Sequence, residues 1–188
     1  MKYKDQNTWK GQWRFITFEN LKDIPPTLFE FLRALPKSMD PRTVEQAILH
    51  RYGLHATVHA RNNVITFAGR EAVNKALAGQ ITSIDEIKIN YEELGTGTTP
   101  PAAGDTGLET PGASTRQPIS SVAASGNKLN INSFWAAGNA TGTWKEYACF
   151  INGTATSNSG VIFVHVGIDI TVGSADSLVI DGTITQIN

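Results

Sequence analysis

The sequence predicts an α+β protein in which a small N-terminal α/β region, residues 1–80, precedes an antiparallel β-sandwich over residues 81–188. Three observations carry this expectation. Charge is concentrated early, with 24 of the 33 Lys, Arg, Asp and Glu residues in positions 1–93, whereas 13 of the 17 glycines come after them. Stretches with a 3.6-residue apolar period and recognisable caps are confined to the first half. The second half offers five short apolar-rich stretches separated by Gly/Asn turns, the spacing of a sandwich or barrel.

The first element is a strand over Trp9–Glu19 (WKGQWRFITFE). Trp13, Phe15 and Thr17 face one way and Arg14, Ile16 and Phe18 the other, so both faces should be at least partly covered. Ile24-Pro25-Pro26 breaks the chain, because a proline disfavours helix at its predecessor. Residues 27–35 then show helical spacing, with Leu28, Phe31, Leu32 and Leu35 on one face and Pro36 as the stop. A second helix should start at Asp40, an N-cap followed by Pro41 at the first helical position, and end at Gly53 as a left-handed C-terminal stop. Leu54–Ala60 alternates as a strand, and Arg61-Asn62-Asn63 reads as a turn.

A short helix over 68–78 follows, with Val73, Ala76 and Leu77 as its apolar positions and Gly79 closing it. Residues 84–91 alternate as a strand with one apolar face. Residues 94–116 (LGTGTTPPAAGDTGLETPGASTR) hold almost no large apolar side chains, and a loop this long marks a functional arm, a linker or disorder. Strands are then expected at 119–125, 128–136, 143–151, 161–172 and 177–187.

Composition excludes several function classes. A net charge of −1 gives no electrostatic footprint for nucleic acid or a membrane surface. The single cysteine, Cys149, rules out a disulfide framework or a thiolate metal cluster and suits a small buried hydrophobe. Met1-Lys2-Tyr3-Lys4 leads into polar residues, and no apolar run reaches the ~18 residues of a membrane span, so a soluble protein made in the cytoplasm is expected.

No reactive constellation emerges. His50, His55 and His59 lie close in sequence, but Gly53 and Thr57-Val58 argue for a strand. There His55 and His59 share a face roughly 13 Å apart, too far for one metal ion. His165 lies among Val161, Phe163, Val164 and Val166 as a satisfied strand residue. Gly95-Thr96-Gly97-Thr98-Thr99 lacks the Gly-Lys-Ser/Thr ending of a phosphate-binding loop, being followed by Pro100-Pro101. Glu92 and Glu93 are neighbours on a strand and point to opposite sides, so they form no hydrolase dyad. The serines of 114–133 sit in no Gly-x-Ser-x-Gly elbow. Asn139-Ala140-Thr141 and Asn152-Gly153-Thr154 match glycosylation sequons, as a Gly/Thr/Asn-rich chain does by chance. Catalytic, cofactor and metal sites are therefore all expected to be absent.

The arrangement from Asn62 onward carries a resemblance. Asn63-Val64-Ile65-Thr66-Phe67-Ala68-Gly69-Arg70, a short helix, and then Ile84–Ile89 come first. Leu94-Gly95-Thr96-Gly97-Thr98-Thr99-Pro100-Pro101-Ala102-Ala103-Gly104-Asp105-Thr106-Gly107-Leu108 is similar to a "(L/V)GTGTTxPAAxDTxL" stretch. Asn139–Phe150 is similar to an "(E)ATGT-x-x-E-x-(G/A)-L-F" strand, and Gly160–Val166 and Leu178–Thr185 resemble the closing strands. In this order the segments resemble virion accessory proteins of tailed bacteriophages: tail-fibre, tail-collar or capsid decoration proteins. The usual Arg after the DT-x-L piece corresponds to Arg116, displaced by a Pro-Gly insertion. Residues 1–60 carry no such resemblance.

The resemblance implies a non-enzymatic virion protein that packs with copies of itself or anchors another tail, neck or capsid component. The low Lys and Glu content of the second half agrees, since protein interfaces are depleted in both. The 94–116 segment, with Thr96, Thr98, Pro100, Pro101, Asp105 and Leu108, is the expected inter-subunit arm. Trp9, Trp13, Trp135 and Trp144 are expected core or interface anchors, and exposed Trp135 or Trp144 would suit a host glycan at a tail tip. Homo-oligomerisation with closed symmetry is expected.

Overall fold

The computed structural model describes residues 9–186, so the polar opening Met1–Lys4 and the expected strand end at Ile187 lie outside the described residues. The α+β sandwich is present, built from ten strands in two five-stranded sheets. In chain order the elements are β1 (Trp9–Phe18), α1 (Pro26–Ala34), α2 (Pro41–Tyr52), β2 (Ala56–Asn62), β3 (Val64–Ile65) and α3 (Phe67–Leu77). There follow β4 (Ile89–Gly95), β5 (Pro111–Pro118), β6 (Ser121–Ser125), β7 (Lys128–Trp135), β8 (Gly142–Ile151), β9 (Val161–Val172) and β10 (Ser177–Gln186). One sheet has the order β2-β1-β10-β7-β6 and the other β3-β9-β8-β4-β5. Every pairing is antiparallel.

The alternation in β1 explains its place. Trp13 and Phe15 point between the sheets, where both pack against Tyr147, tilted and edge-on respectively, with ring centroids 5.4 and 5.2 Å away. Ile16 and Phe18 point outward into a second core made with Leu28 and Leu32 of α1, Val44 and Ile48 of α2, and Val58 and Val179. Both faces of the strand are covered, as its two-sided apolar content required.

The helix punctuation acts as read. Asp40 Oδ1 accepts from the amides of Arg42 and Thr43 at 3.0 and 3.2 Å, and Gly53 closes α2 at φ +67. In α3 the hydroxyl of Thr66 accepts from the Gly69 amide at 2.9 Å and donates to the Ile162 carbonyl, tying the helix start to β9.

Four expectations are corrected. First, the chain does not divide at residue 80. β1 lies between β2 and β10, pairing with β10 along all ten of its residues, and β3 joins the opposite sheet, so the first 80 residues are part of both sheets. Second, 84–91 is not one strand. Ser83 and Glu86 form a capping box that coils Ile84–Ile87 into a 3-10 turn, leaving Ile84 70% exposed, and the strand begins at Ile89. Third, Leu77 is not a core position of α3: it is 83% exposed, and Ala72 and Val73 make the contact with the core. Fourth, the end of the 94–116 segment is a strand. β5 pairs along β4, with Gln117 bonded to Glu92 and Arg116 to Glu93, and its prolines sit at the two ends of an edge strand.

Candidate functional site

The strand alternation of β8 sends Tyr147, Cys149 and Ile151 between the sheets and Glu146, Ala148 and Phe150 to the outer face. That outer face is where the Gly/Thr-rich segment 95–110 lies. Glu146 is 1% exposed and serves as its anchor. Oε1 accepts from the amides of Gly97 (3.0 Å) and Thr110 (2.8 Å), and Oε2 from the amide of Glu109 (3.0 Å). The approach depends on glycine: a Cβ on Gly95 or on Gly97 would fall 2.5 Å from Glu146 Oε1. This is a physical reason for the Gly-Thr-Gly pattern.

His165, opposite Ala148 on β9, bridges two carboxylates. Its Nε2 lies 3.2 Å from Glu146 and its Nδ1 2.6 Å from Asp105. Burial opposes a charged ring, but the hydrogen bonds and charges of Glu146 and Asp105 outweigh it and hold the His165 pKa above the ordinary value. Burial likewise works against ionised Glu146. The bond from His165 and the amides of Thr110, Glu109 and Gly97 outweigh that, and its pKa is held low. In its protonated form the His165 ring donates to both side chains and links Asp105 to Glu146. Asp105 also accepts from the Ala102 amide at 2.7 Å, and Leu108 packs with Ala148, Phe150 and Ile162. The segment is also tied to α3, since the Phe67 amide donates to the Ala103 carbonyl at 2.7 Å.

A cavity of about 390 Å³ remains beside these three residues, lined by Thr99, Pro100, Gly104, Asp105, Thr106, Gly107, Glu109 and His165. Both nitrogens of a protonated His165 donate to carboxylates, leaving no lone pair for general-base work. The thiol of Cys149 faces away, between the sheets, where burial pushes its pKa well up. The arrangement functions as a clamp.

Next to it a second cluster fixes the 152–160 loop. Arg116 Nη1 pairs with Glu93 at 2.8 Å, while Nε and Nη2 donate to the carbonyls of Thr154 (2.7 Å) and Ser159 (2.6 Å). The guanidinium lies 4.1 Å from the Phe150 ring centroid and 5.3 Å from that of Tyr91. Glu92 points the other way, between the sheets, accepting from Tyr147 and Gln117 at 2.8 Å each. With no cation beside it among the described residues, burial pushes its pKa up to about 7.

The expected interface residues separate into two groups. Thr96, Thr98 and Pro100 are exposed on the folded-back segment, Pro101 and Asp105 are half-buried, and Leu108 is buried, so 94–116 is not a projecting arm. Trp13, Trp135 and Trp144 are core, at 1%, 1% and 6% exposure. The indole N–H of Trp144 donates to the Ala140 carbonyl at 2.7 Å. Trp9 alone is half-buried, edge-on to Phe163 at 5.7 Å.

Sequence reading missed Glu146. Its signal was a glutamate directly before the apolar run YACFI in the strand TWKEYACFI. His55 and His59 stay apart from this site, and among the described residues no three His, Cys, Asp or Glu side chains gather as a metal site. No helix among the described residues is long and apolar enough to cross a membrane.

No protein-family model, curated protein or solved structure matches the chain.

Proposed function

We propose that the chain is a structural component of a tailed-bacteriophage virion, a tail- or neck-associated adaptor or fibre anchor that acts by protein–protein assembly. One observation carries the reading. Three separate stretches that resemble virion accessory proteins, 94–108, 139–150 and 160–166, meet as one hydrogen-bonded unit. Its centre joins one residue from each: Asp105, Glu146 and His165. Glu146 is the glutamate of the "ATGT-x-x-E" pattern, and it binds the backbone of the "GTGTT" pattern directly. The resembling residues are therefore coupled to one another, which scattered Gly/Thr-rich loops would have no reason to be.

The chemistry of the charged groups agrees. Glu146, His165, Glu93, Arg116, Arg14 and Asp181 are spent on internal bonds that hold loops and helices in place. The surface also carries exposed apolar side chains on or beside α3: Phe67 at 62%, Ile84 at 70% and Leu77 at 83% exposure. Such residues suit contact with another virion subunit. Glycan stacking through Trp135 or Trp144 is not supported, because both indoles are buried.

Quantitative mass spectrometry of purified particles tests the proposal. A dozen copies or fewer per particle is the expected result, hundreds would move the protein to the capsid surface as a decoration protein, and absence from particles would overturn the virion reading.

A further inference from the structure

Each sheet of an open sandwich ends in two edge strands whose unpaired backbone groups can recruit another chain, and proteins normally block them. Three of the four edges here are blocked. On β2, the Val58 amide turns away from β1 and donates to Glu45 of α2 at 2.8 Å, so a helix covers that edge. β3 is two residues long and runs through Thr66 into α3. β5 begins and ends in proline, carries Arg116, and faces a register shift between Glu93 and Gly95.

β6 itself has none of these devices; among the described residues the one charged group bonded to it is Arg33 of α1, which donates to the Ser121 hydroxyl at 2.8 Å on the outer face. Ser121-Val122-Ala123-Ala124-Ser125 contains no charge and no proline, and pairs with β7 in unbroken register. Residues 122–125 are exposed, and among the described residues no backbone group of 121–125 bonds outside that ladder.

We propose that β6 is the edge through which two copies of this chain pair, antiparallel about a two-fold axis at Ala123, into one continuous ten-stranded sheet. The strand is self-complementary in that register. Ala123 meets the partner's Ala123, Val122 meets the partner's Ala124, and Ser121 meets the partner's Ser125. Apolar residues oppose apolar ones, hydroxyls oppose hydroxyls, and no like charges face each other. The sides also match. Val122 and Ala124 stand across from Ile131 and Leu129, so they lie on the inter-sheet face. Beside them a groove of about 610 Å³ opens at the end of the core, with Ile87, Ile89, Ile119, Val122 and Leu129 as its apolar lining and Lys88, Asn90 and Ser120 as its polar part. The partner's Ala124 and Val122 extend that apolar lining across the axis.

Two copies are the limit, because the far edge of the same sheet is the covered β2, and a two-fold contact closes on itself. A five-residue ladder with one groove sits at the small end of specific interfaces, below about 1,200 Å². The dimer is therefore reversible and depends on concentration. This inference rests on edge chemistry and not on the virion reading; a protein absent from particles could still pair this way.

The test combines sedimentation velocity with cysteine trapping of the full chain. Wild-type protein should move from the 20.3 kDa monomer towards twice that mass as concentration rises. Val122→Lys and Ala124→Pro should lower the association constant at least tenfold with circular dichroism unchanged, since the two-residue turn bonds Ser125 to Lys128 and leaves the Ala124 amide pointing outward. Across the axis Ala123 forms a non-hydrogen-bonded pair whose Cα atoms come within roughly 4.5 Å, inside disulfide range. Ala123→Cys should therefore cross-link under mild oxidation. Ser125→Cys should not, its own copies lying on the order of 13 Å apart; wild type controls for Cys149. Three outcomes would overturn the proposal: a monomer at every concentration, equal cross-linking of the two cysteine variants, or a Val122→Lys protein that dimerises like wild type. A chain that stays monomeric would leave the edge to a strand from a different protein.

Discussion

Single buried glutamates make opposite contributions to stability here. Glu92 is fully buried with hydroxyl and amide donors but no cation, and its pKa rises from 4.5 to about 7. A group whose folded pKa is raised adds stability below its unfolded value and loses it as pH climbs through the folded one, so the loss runs from about pH 4.5 to beyond 7. Forcing the charge at pH 8 costs on the order of 3 kcal/mol. Glu92→Gln should therefore be the more stable protein at pH 8, by roughly 1–3 kcal/mol in urea unfolding, and equal to wild type near pH 4. Glu146 has the reverse sign. Its lowered pKa supplies stability above the ordinary carboxylate value, lost as pH falls through the folded pKa, while the raised pKa of His165 supplies stability below the ordinary imidazole value, lost as pH rises through its own. The clamp on 95–110 is tightest between those limits, at mildly acidic pH. Amide exchange at Gly97, Glu109 and Thr110, corrected for intrinsic rates, should show protection falling as pH rises past His165, and His165→Gln should flatten that profile. Glu146→Ala strands three amides and an imidazole, and should cost about 3 kcal/mol or more.

At the scale of elements, docking of α1 depends on one aspartate. Asp181 of β10 receives Arg14 at 2.8 Å, Asn132 at 2.8 Å and Lys37, and Arg14 in turn donates to the carbonyls of Leu32 and Leu35 at the end of α1. Arg14 and Asp181 are 0% and 1% exposed. Burial lowers the Lys37 pKa and Asp181 opposes that fall, so losing the carboxylate leaves two buried cations unbalanced. Asp181→Asn should destabilise by about 3–5 kcal/mol and expose the amides of α1 to exchange before those of β8. Most elements were legible because each carried a local cause: Asp40-Pro41 and Gly53 bound α2, and Gly/Asn turns separate β7, β8, β9 and β10. Those that escaped have tertiary causes. β5 reads as loop by composition, and only the ladder offered by β4 makes Pro-Gly-Ala-Ser-Thr-Arg-Gln-Pro a strand. Alternation over 84–91 imitated a strand until the Ser83–Glu86 capping box claimed half of it. The clamp escaped for the same reason, since Asp105, Glu146 and His165 are distant in sequence and meet only when β8 and β9 pair.

At the scale of the molecule, the shift in composition near residue 94 suggested two units, yet the strand order makes them one. A chain that folded its second half alone would leave β10 without β1, stripping ten paired residues from the centre of a sheet. It would also remove Trp13 and Phe15 from contact with Tyr147, and uncover the apolar outer face at Val179. Each of those aromatic side chains contributes roughly 2–3 kcal/mol of burial, a large share of the 5–15 kcal/mol that holds a typical domain folded. Residues 81–188 expressed alone should therefore lack a cooperative thermal transition and fixed near-ultraviolet dichroism. Adding residues 1–80 as a separate chain should restore both if the halves reassociate. A cooperatively folding 81–188 fragment would show that the charge and glycine boundary is a true domain boundary, and that β1 is an accessory to a sandwich that closes without it.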